Sequence, residues 1–388
     1  MKLMNFLIFF SIVLLINAGI NYYIIRRGLQ VIPEGSKLRT IFVILVIFLA
    51  SAFIAGRILE RININVFTEI LIWAGSFWMA FMVYFLLSLI VIDLFRLLDY
   101  LFGIFPSFMV ANPQKTKIIL SLFVSAVVTV TVIAGHINTY FPVIKKFELP
   151  VNKSAGKLDE LNIAMASDIH LGTIIGNRKM RMFAEKINSL EPDIILLPGD
   201  IIDEDIQPVL KDNMGESLEM LKAKYGVYAV TGNHEYIGGV VPAVKFLQQH
   251  GIKIISDTSV FIDSSFYVAG REDRSLNSFS DKKRKPISGV VENADFKYPV
   301  ILMDHQPFAL GEAEKAGIDL QLSGHTHHGQ LWPFNFITKM VYELSWGYLK
   351  KNNTHYYVSC GAGGWGPPVR TGSRPEIISI KLKFKKAG

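Results

Sequence analysis

The segment Asp193-Ile194-Ile195-Leu196-Leu197-Pro198-Gly199-Asp200 reads as a short apolar strand that stops at a glycine and a carboxylate. Glycine at the stop lets the backbone turn sharply and leaves room beside the acid. The same pattern recurs on either side of it. Asn162 to Ser167 runs into Asp168-Ile169-His170, and Val227 to Val230 into Gly232-Asn233-His234-Glu235. Val300 to Met303 runs into Asp304-His305-Gln306-Pro307, and Asp319 to Leu322 into Gly324-His325-Thr326-His327. Amphipathic stretches at 178–190, 208–224 and 241–250 alternate with these runs, and further strands are expected at 252–255, 265–269, 356–359 and 376–384. That alternation predicts an α/β domain. In such sheets the loops beyond the carboxyl ends of the strands converge on one crevice, so the five polar clusters are expected to meet. Their donors are carboxylates, one amide oxygen and neutral imidazoles, with no thiolate, a set suited to Mn, Fe, Zn or Mg.

The chain before this domain has a different texture. With 388 residues and 51% hydrophobic content, the protein is long enough for two domains and too apolar for an ordinary soluble one. The excess lies in residues 1–145, where four stretches approach the roughly 20 apolar residues of a spanning helix: 4–25, 40–59, 67–92 and 118–135. These predict a bundle of about four transmembrane helices. The first is expected to be retained, because its apolar run is too long for a signal peptide and Arg26-Arg27 follow it. Residues 94–110, interrupted by Arg96, Asp99, Gly103 and Pro106, are expected to form an interfacial helix. Residues 146–157 read as a linker, with Pro150 inside it, and 158–388 as the catalytic domain.

Charged side chains sit near the predicted helix ends, which favours an anchor over a channel. The net charge of +7 arises largely from residues flanking hydrophobic segments, so the expected partner is a lipid bilayer and no nucleic acid. Lys and Arg counts in the loops lean toward a catalytic domain outside the cytoplasm, in an integral protein of the cell membrane. The single cysteine, Cys360, is expected to be buried and inert.

Taken in order, Asp-x-His, Gly-Asp, Gly-Asn-His-Glu, a lone His and Gly-His-x-His resemble the calcineurin-like metallophosphoesterase superfamily. The resemblance runs from Asn162 to the C-terminus. It extends through Tyr356-Tyr357-Val358-Ser359-Cys360-Gly361 and Pro367 to Ile377, which resemble the bacterial membrane-associated branch. It implies a four-layer α-β-β-α sandwich and a hydrolase acting on ester bonds. It also implies two divalent cations, one held by Asp168, His170, Asp200 and His327, the other by Asp200, Asn233, His305 and His325. Asp200 would bridge them, and a hydroxide shared between the cations would attack phosphorus. His234 would contact the phosphate or protonate the leaving group, with Asp168 able to orient it.

Several expectations lie outside that pattern. His328, standing where the branch carries glycine, and Arg271, after the strand ending in Ala269-Gly270, are candidate substrate contacts. Asp304 is expected to orient His305 through its second ring nitrogen, Glu235 to fix its loop, and His250 and His355 to lie at the surface. Trp332, Phe334, Phe336, Trp346, Tyr348 and Trp365 could form an apolar lip near the last motif. Membrane anchoring favours a phosphodiester or pyrophosphate in a lipid-linked or envelope molecule as substrate. The alternatives are a soluble nucleotide or phosphoprotein, and a membrane sensor or transporter subunit without turnover.

Overall fold

A computed structural model describes residues 2–386, with the side chains of residues 2–6 and of Phe9 outside that description. The chain forms two compact units. The first runs to His136 and includes Gly366–Val369; the second comprises Ile137–Trp365 and the residues from Arg370 onward.

Helices α1 (Lys2–Gly28), α2 (Lys37–Glu60), α3 (Val66–Phe102), α4 (Ser107–Ala111) and α5 (Pro113–Asn138) supply the first unit. Among the described residues, α2, α3 and α5 are long and apolar enough to cross a membrane. The expected span 4–25 falls within α1, but part of it lies outside the described side chains, so it is not among those three. Side chains close the helix starts: Ser36 Oγ accepts from Leu38 N, and Asn65 and Thr68 satisfy each other's backbone N–H groups at the head of α3. The expected break near residue 93 does not occur. The 37 residues of α3 continue through Arg96 and Asp99 and stop at Gly103, whose φ of 61° is left-handed. Arg and Asp are tolerated in a helix interior, and Asp93 is paired with Arg27 and with Arg96. Tyr23 also donates to Asp93, at 2.5 Å. Asn21 is buried and accepts from the Trp78 indole at 2.9 Å, which satisfies a polar group that hydrocarbon would leave unpaired.

The second unit contains two six-stranded sheets. Its strands are β1 (Val143–Val151), β2 (Glu160–Met165), β3 (Ile194–Pro198), β4 (Val227–Val230), β5 (Ile252–Ile254) and β6 (Thr258–Ile262), followed by β7 (Phe266–Gly270), β8 (Val300–Met303), β9 (Leu320–Ser323), β10 (Gly347–Lys351), β11 (Thr354–Val358) and β12 (Glu376–Phe384). One sheet has the order β1-β12-β2-β3-β4-β5 and the other β10-β11-β9-β8-β7-β6. In the first, β2 to β5 are parallel; in the second, β7, β8, β9 and β11 are. The inner faces meet through Ile163, Met165, Leu196 and Val230 on one side and Val268, Ile301, Met303 and Leu322 on the other. Each such side chain contributes roughly 1.5–3 kcal/mol on leaving water. Helix α6 (Asn177–Asn188) buries Met180, Phe183, Ala184 and Ile187. Ala269, Leu302 and Tyr356 pack with Ile287, Val290 and Ala313 of the short helices Ile287–Val290 and Gly311–Lys315. The expected four-layer α/β sandwich is therefore the fold.

Three local expectations are corrected. Residues 146–151, read as the start of the linker, belong with 143–145 to β1, paired in parallel along its whole length with β12. Pro150 is compatible because β1 is an edge strand, where a missing N–H costs no ladder bond. The stretch 208–224 holds two short helices, Gln207–Lys211 and Gly215–Leu218, instead of one. His355 is buried, with Nε2 against the Pro150 carbonyl at 3.0 Å and Nδ1 against the Tyr348 hydroxyl at 2.8 Å.

Candidate metal centre

The carboxyl ends of β2, β3 and β4 in one sheet and of β8 and β9 in the other carry the five polar clusters, and these converge. His170 Nε2 lies 3.2 Å from His327 Nε2, and His327 Nε2 lies 3.6 Å from Asp168 Oδ1. Asp200 Oδ2 is 3.1 Å from His305 Nε2 and 3.8 Å from His170 Nε2, so this carboxylate stands between two groups of donors. Asn233 Oδ1 is 3.2 Å from His305 Nε2 and 2.8 Å from His325 Nδ1. Among the described residues, three groups have ligand atoms that could close on a cation: Asp168 with His170 and His327, Asp200 with His305 and His325, and His170 with Asp203 and His234.

The backbone is shaped for this convergence. Asp168, His170, Asp200, His325, His327 and His328 all have φ between 45° and 72°, a region that non-glycine residues rarely enter. Left-handed backbone at a strand end swings the side chain back across the sheet edge instead of letting it continue outward. Two glycines are required by close approach. A Cβ on Gly232 would stand 2.1 Å from Asp200 Oδ1, and one on Gly324 would stand 2.2 Å from Asp168 Oδ2.

Hydrogen bonds behind the cluster decide which atoms face inward. His305 Nδ1 donates to the Pro198 carbonyl at 2.8 Å. Neutral His305 therefore turns a lone pair on Nε2 toward two further acceptors, Asp200 Oδ2 and Asn233 Oδ1. Three acceptors facing one another are stable only around a positive charge, which a divalent cation or a proton on His305 supplies. Burial opposes that proton, but Asp200 and Asp168 outweigh it and hold the His305 pKa well above the usual imidazole range. His325 and His327 go the other way. Burial, then His305, lowers His325 to about 4, and burial, His170 and Arg370 hold His327 well below the usual range. Both stay neutral and able to ligate. The donor set fits divalent cations.

Beneath the cluster, the Glu235 carboxylate accepts from the backbone N–H groups of Ile201, Ile202, Gly232 and Asp200, between 2.7 and 3.2 Å, and so fixes the β3 and β4 loops together. Asp168 accepts from Ser167 Oγ at 2.6 Å and from the His325 backbone at 2.8 Å.

His234 sits beside the ligands, its ring edge-on to His170 with centroids 4.6 Å apart. Its Nδ1 is 3.2 Å from Asp203 Oδ1, and Trp365 stands against its other side at 5.6 Å. Burial opposes a charge on His234, but Asp200 and then Asp203 outweigh it and carry the pKa up to about 9. Asp203, and not Asp168, is thus the acid in contact with this imidazole. Sequence reasoning missed it, although its place three residues after Asp200 in Gly199-Asp200-Ile201-Ile202-Asp203 was a signal. Arg370 was also missed. Its guanidinium is 1% exposed, donates to the Cys360 carbonyl at 2.7 Å and lies 3.2 Å from His327 Nδ1.

The remaining candidates sit elsewhere. His328 is buried, with Nδ1 3.1 Å from Ser345 Oγ and its ring against Trp346. Arg271 is buried too and bonded to Asp304, Glu312 and the Lys285 carbonyl. Asp304 pairs with Arg271 and, at 2.8 Å, with Arg284. It does not orient His305, whose second nitrogen is taken by Pro198. Cys360 is buried, as expected.

Comparison with known proteins agrees with this geometry. Residues 161–329 match the calcineurin-like phosphoesterase family model. The chain is 31% identical to an uncharacterized metallophosphoesterase of Campylobacter jejuni, over 99% of this chain and 100% of that one. It is 33% identical to an uncharacterized metallophosphoesterase of Helicobacter pylori, over 58% of this chain and 61% of that one. A bovine transmembrane protein with metallophosphoesterase domain is 33% identical over 66% of this chain and 61% of its own length. The match thus spans about three fifths of the Helicobacter and bovine relatives. The chain belongs to the calcineurin-like metallophosphoesterase family, and it joins that domain to membrane-spanning helices.

Proposed function

We propose that the protein is a membrane-anchored, metal-dependent phosphoesterase that cleaves a phosphodiester or pyrophosphate bond by addition of water. The observation that carries this reading is the ring of inward-facing acceptors around Asp200, with the His234–Asp203 pair beside it. Asp168, His170, Asp200 and His327 would hold one divalent cation, and Asp200, Asn233, His305 and His325 a second. When bound, the cations make water nucleophilic near neutral pH and offset charge on the phosphoryl oxygens. The chain does the rest. Asp200 contributes to both sites, and the His305–Pro198 bond fixes the tautomer that presents Nε2. Glu235 keeps the β3 and β4 loops in register, and burial and His170, with Arg370 adding to them, keep His327 unprotonated. His234, charged up to about pH 9, donates a hydrogen bond to the phosphate or a proton to the departing alkoxide.

A lipid-linked or envelope phosphoester is the favoured substrate class, because the spanning helices and the short connection from α5 to β1 bring the site and lipid to high effective concentration. Loop charge supports a catalytic domain outside the cytoplasm. The test is release of p-nitrophenol from a bis-ester and a mono-ester by detergent-purified full-length protein, with and without manganese, in plain and in mixed lipid micelles. Metal-dependent turnover, faster on the diester and raised by lipid, is expected. Well-folded, metal-loaded protein that turns over neither ester would sink the reading.

A further inference from the structure

The helix Phe334–Val341 is folded inside out. Phe336, Ile337, Met340 and Val341 form one stripe and are 55%, 51%, 79% and 57% exposed. Its polar residues Asn335 and Thr338 are half-buried, and Thr338 Oγ1 donates to the Asn335 carbonyl. Trp332, just before the helix, is exposed as well. An amphipathic surface helix normally turns the apolar stripe to the core and the polar one to water. A contiguous cluster of large exposed apolar side chains marks an interaction surface.

The rest of the chain says what covers it. Among the described residues, three helices are long and apolar enough to span a bilayer, and only residues 139–142 separate the last of them from β1. Four extended residues reach at most about 14 Å, so the unit that carries the stripe is held on a short tether to the spanning helices. Cationic groups accompany the stripe. Lys339 is exposed on the helix itself, and Trp332 N donates to Thr371 Oγ1 on the wall of a cleft of about 460 Å³ that also holds Lys145, Arg374 and Trp346. Exposed Lys beside Trp and aliphatic residues is the composition of an interfacial helix, with the cation among headgroups and the apolar face in the upper acyl region.

We propose that the helix Phe334–Val341, with Trp332, is a bilayer-docking element: Phe336, Ile337, Met340 and Val341 enter the headgroup–acyl boundary while Lys339 stays at the headgroups. The helix follows the His327–Gly329 turn after residues 330–333 and packs against it. Docking therefore fixes the height of the His327 side of the site above the membrane. The proposal rests on the spanning helices and the exposed stripe, and holds whether or not the site turns over a phosphoester.

The test is optical. Cys360 is the only cysteine and is buried, so Met340→Cys in the full-length chain can carry a single environment-sensitive fluorophore. Asn353→Cys, on the exposed β10–β11 turn, serves as the control. Both labelled proteins go into nanodiscs containing phosphatidylglycerol, with and without lipids bearing a nitroxide high on the acyl chain. At position 340 the emission should shift to the blue, lose most of its intensity to the nitroxide lipid and resist aqueous iodide. At position 353 it should do the reverse. If the two positions respond alike, or if 340 is dry but untouched by the nitroxide because a second copy or another protein covers it, the proposal is overturned. Unchanged thermal melts of both variants ensure that the comparison is between folded proteins.

Discussion

Asp203→Asn keeps the outline of a buried side chain and removes the charge that faces His234 Nδ1 from 3.2 Å. Charges at that separation interact by about 5 kcal/mol at an effective dielectric constant of about 20, an upper bound. Loss of a neighbouring opposite charge typically moves a pKa by roughly 1–3 units. Asp200 remains and is the larger influence, so His234 should fall from about 9 by an amount inside that range. The sign is fixed: an imidazolium that loses its partner gives up its proton at lower pH. At about pH 8, a drop of roughly 2 units takes the protonated fraction from about 0.9 to about 0.1, a loss of about tenfold in any step needing that proton. Below about pH 6 both proteins remain protonated and their rates should converge. The assay is kcat against pH on a p-nitrophenyl ester with saturating metal, so that the influence of the cations is common to both. A loss uniform across the pH range, or a basic limb that stays in place, would refute the assignment of Asp203 to His234.

Asp200→Asn should reduce bound metal, measured by elemental analysis, and lower kcat by more than the roughly 10–100-fold that loss of an outer partner costs. Asp304→Ala leaves Arg271 and Arg284 buried without their shared carboxylate and should cost about 3–5 kcal/mol in denaturant titration. Activity per folded molecule should be retained; selective loss of turnover in the folded fraction would return Arg271 to the substrate site. Glu235→Gln keeps one acceptor oxygen of two and should lower stability by about 1–3 kcal/mol, read as a fall in melting temperature. Chelation should lower the melting temperature of the wild type more than that of Asp200→Asn, because the variant starts with less metal to lose.

What could be read from the sequence follows from how buried strands are written. β3, β4 and β8 are buried along their whole length, so each is an unbroken apolar run, and the polar cluster at its end stands out; β9 is as buried but reads Leu-Gln-Leu-Ser, and its cluster is marked by Gly324-His325-Thr326-His327 instead. The edge strand β1 lacks that contrast: Lys146-Phe147-Glu148-Leu149 alternates, and Pro150 hides the alternation behind a turn signal. The length of α3 was illegible for the opposite reason, since Arg96 and Asp99 resemble a boundary although a helix tolerates both. At the site, the candidate ligands announced themselves by motif, whereas their supports did not. Arg370 reaches His327 from a distant loop, and only the folded chain makes the two neighbours. Asp304 misled because adjacency to His305 in sequence places it on the other face of the strand end, toward Arg271 and Arg284.

The place of β12 between β1 and β2 governs when this protein can become itself. β12 is synthesised after every other strand of both sheets, yet it is interior, and β1 has no other strand beside it. During synthesis the helical region can enter the membrane while β1 stays without its partner strand until residues 376–384 leave the ribosome. The sheet that carries β2 to β5 can therefore close on β1 only after residues 376–384 have been made. A chain cut short before β12 would leave the edges of β1 and β2 without their shared neighbour, two open strand edges of the kind that invite aggregation.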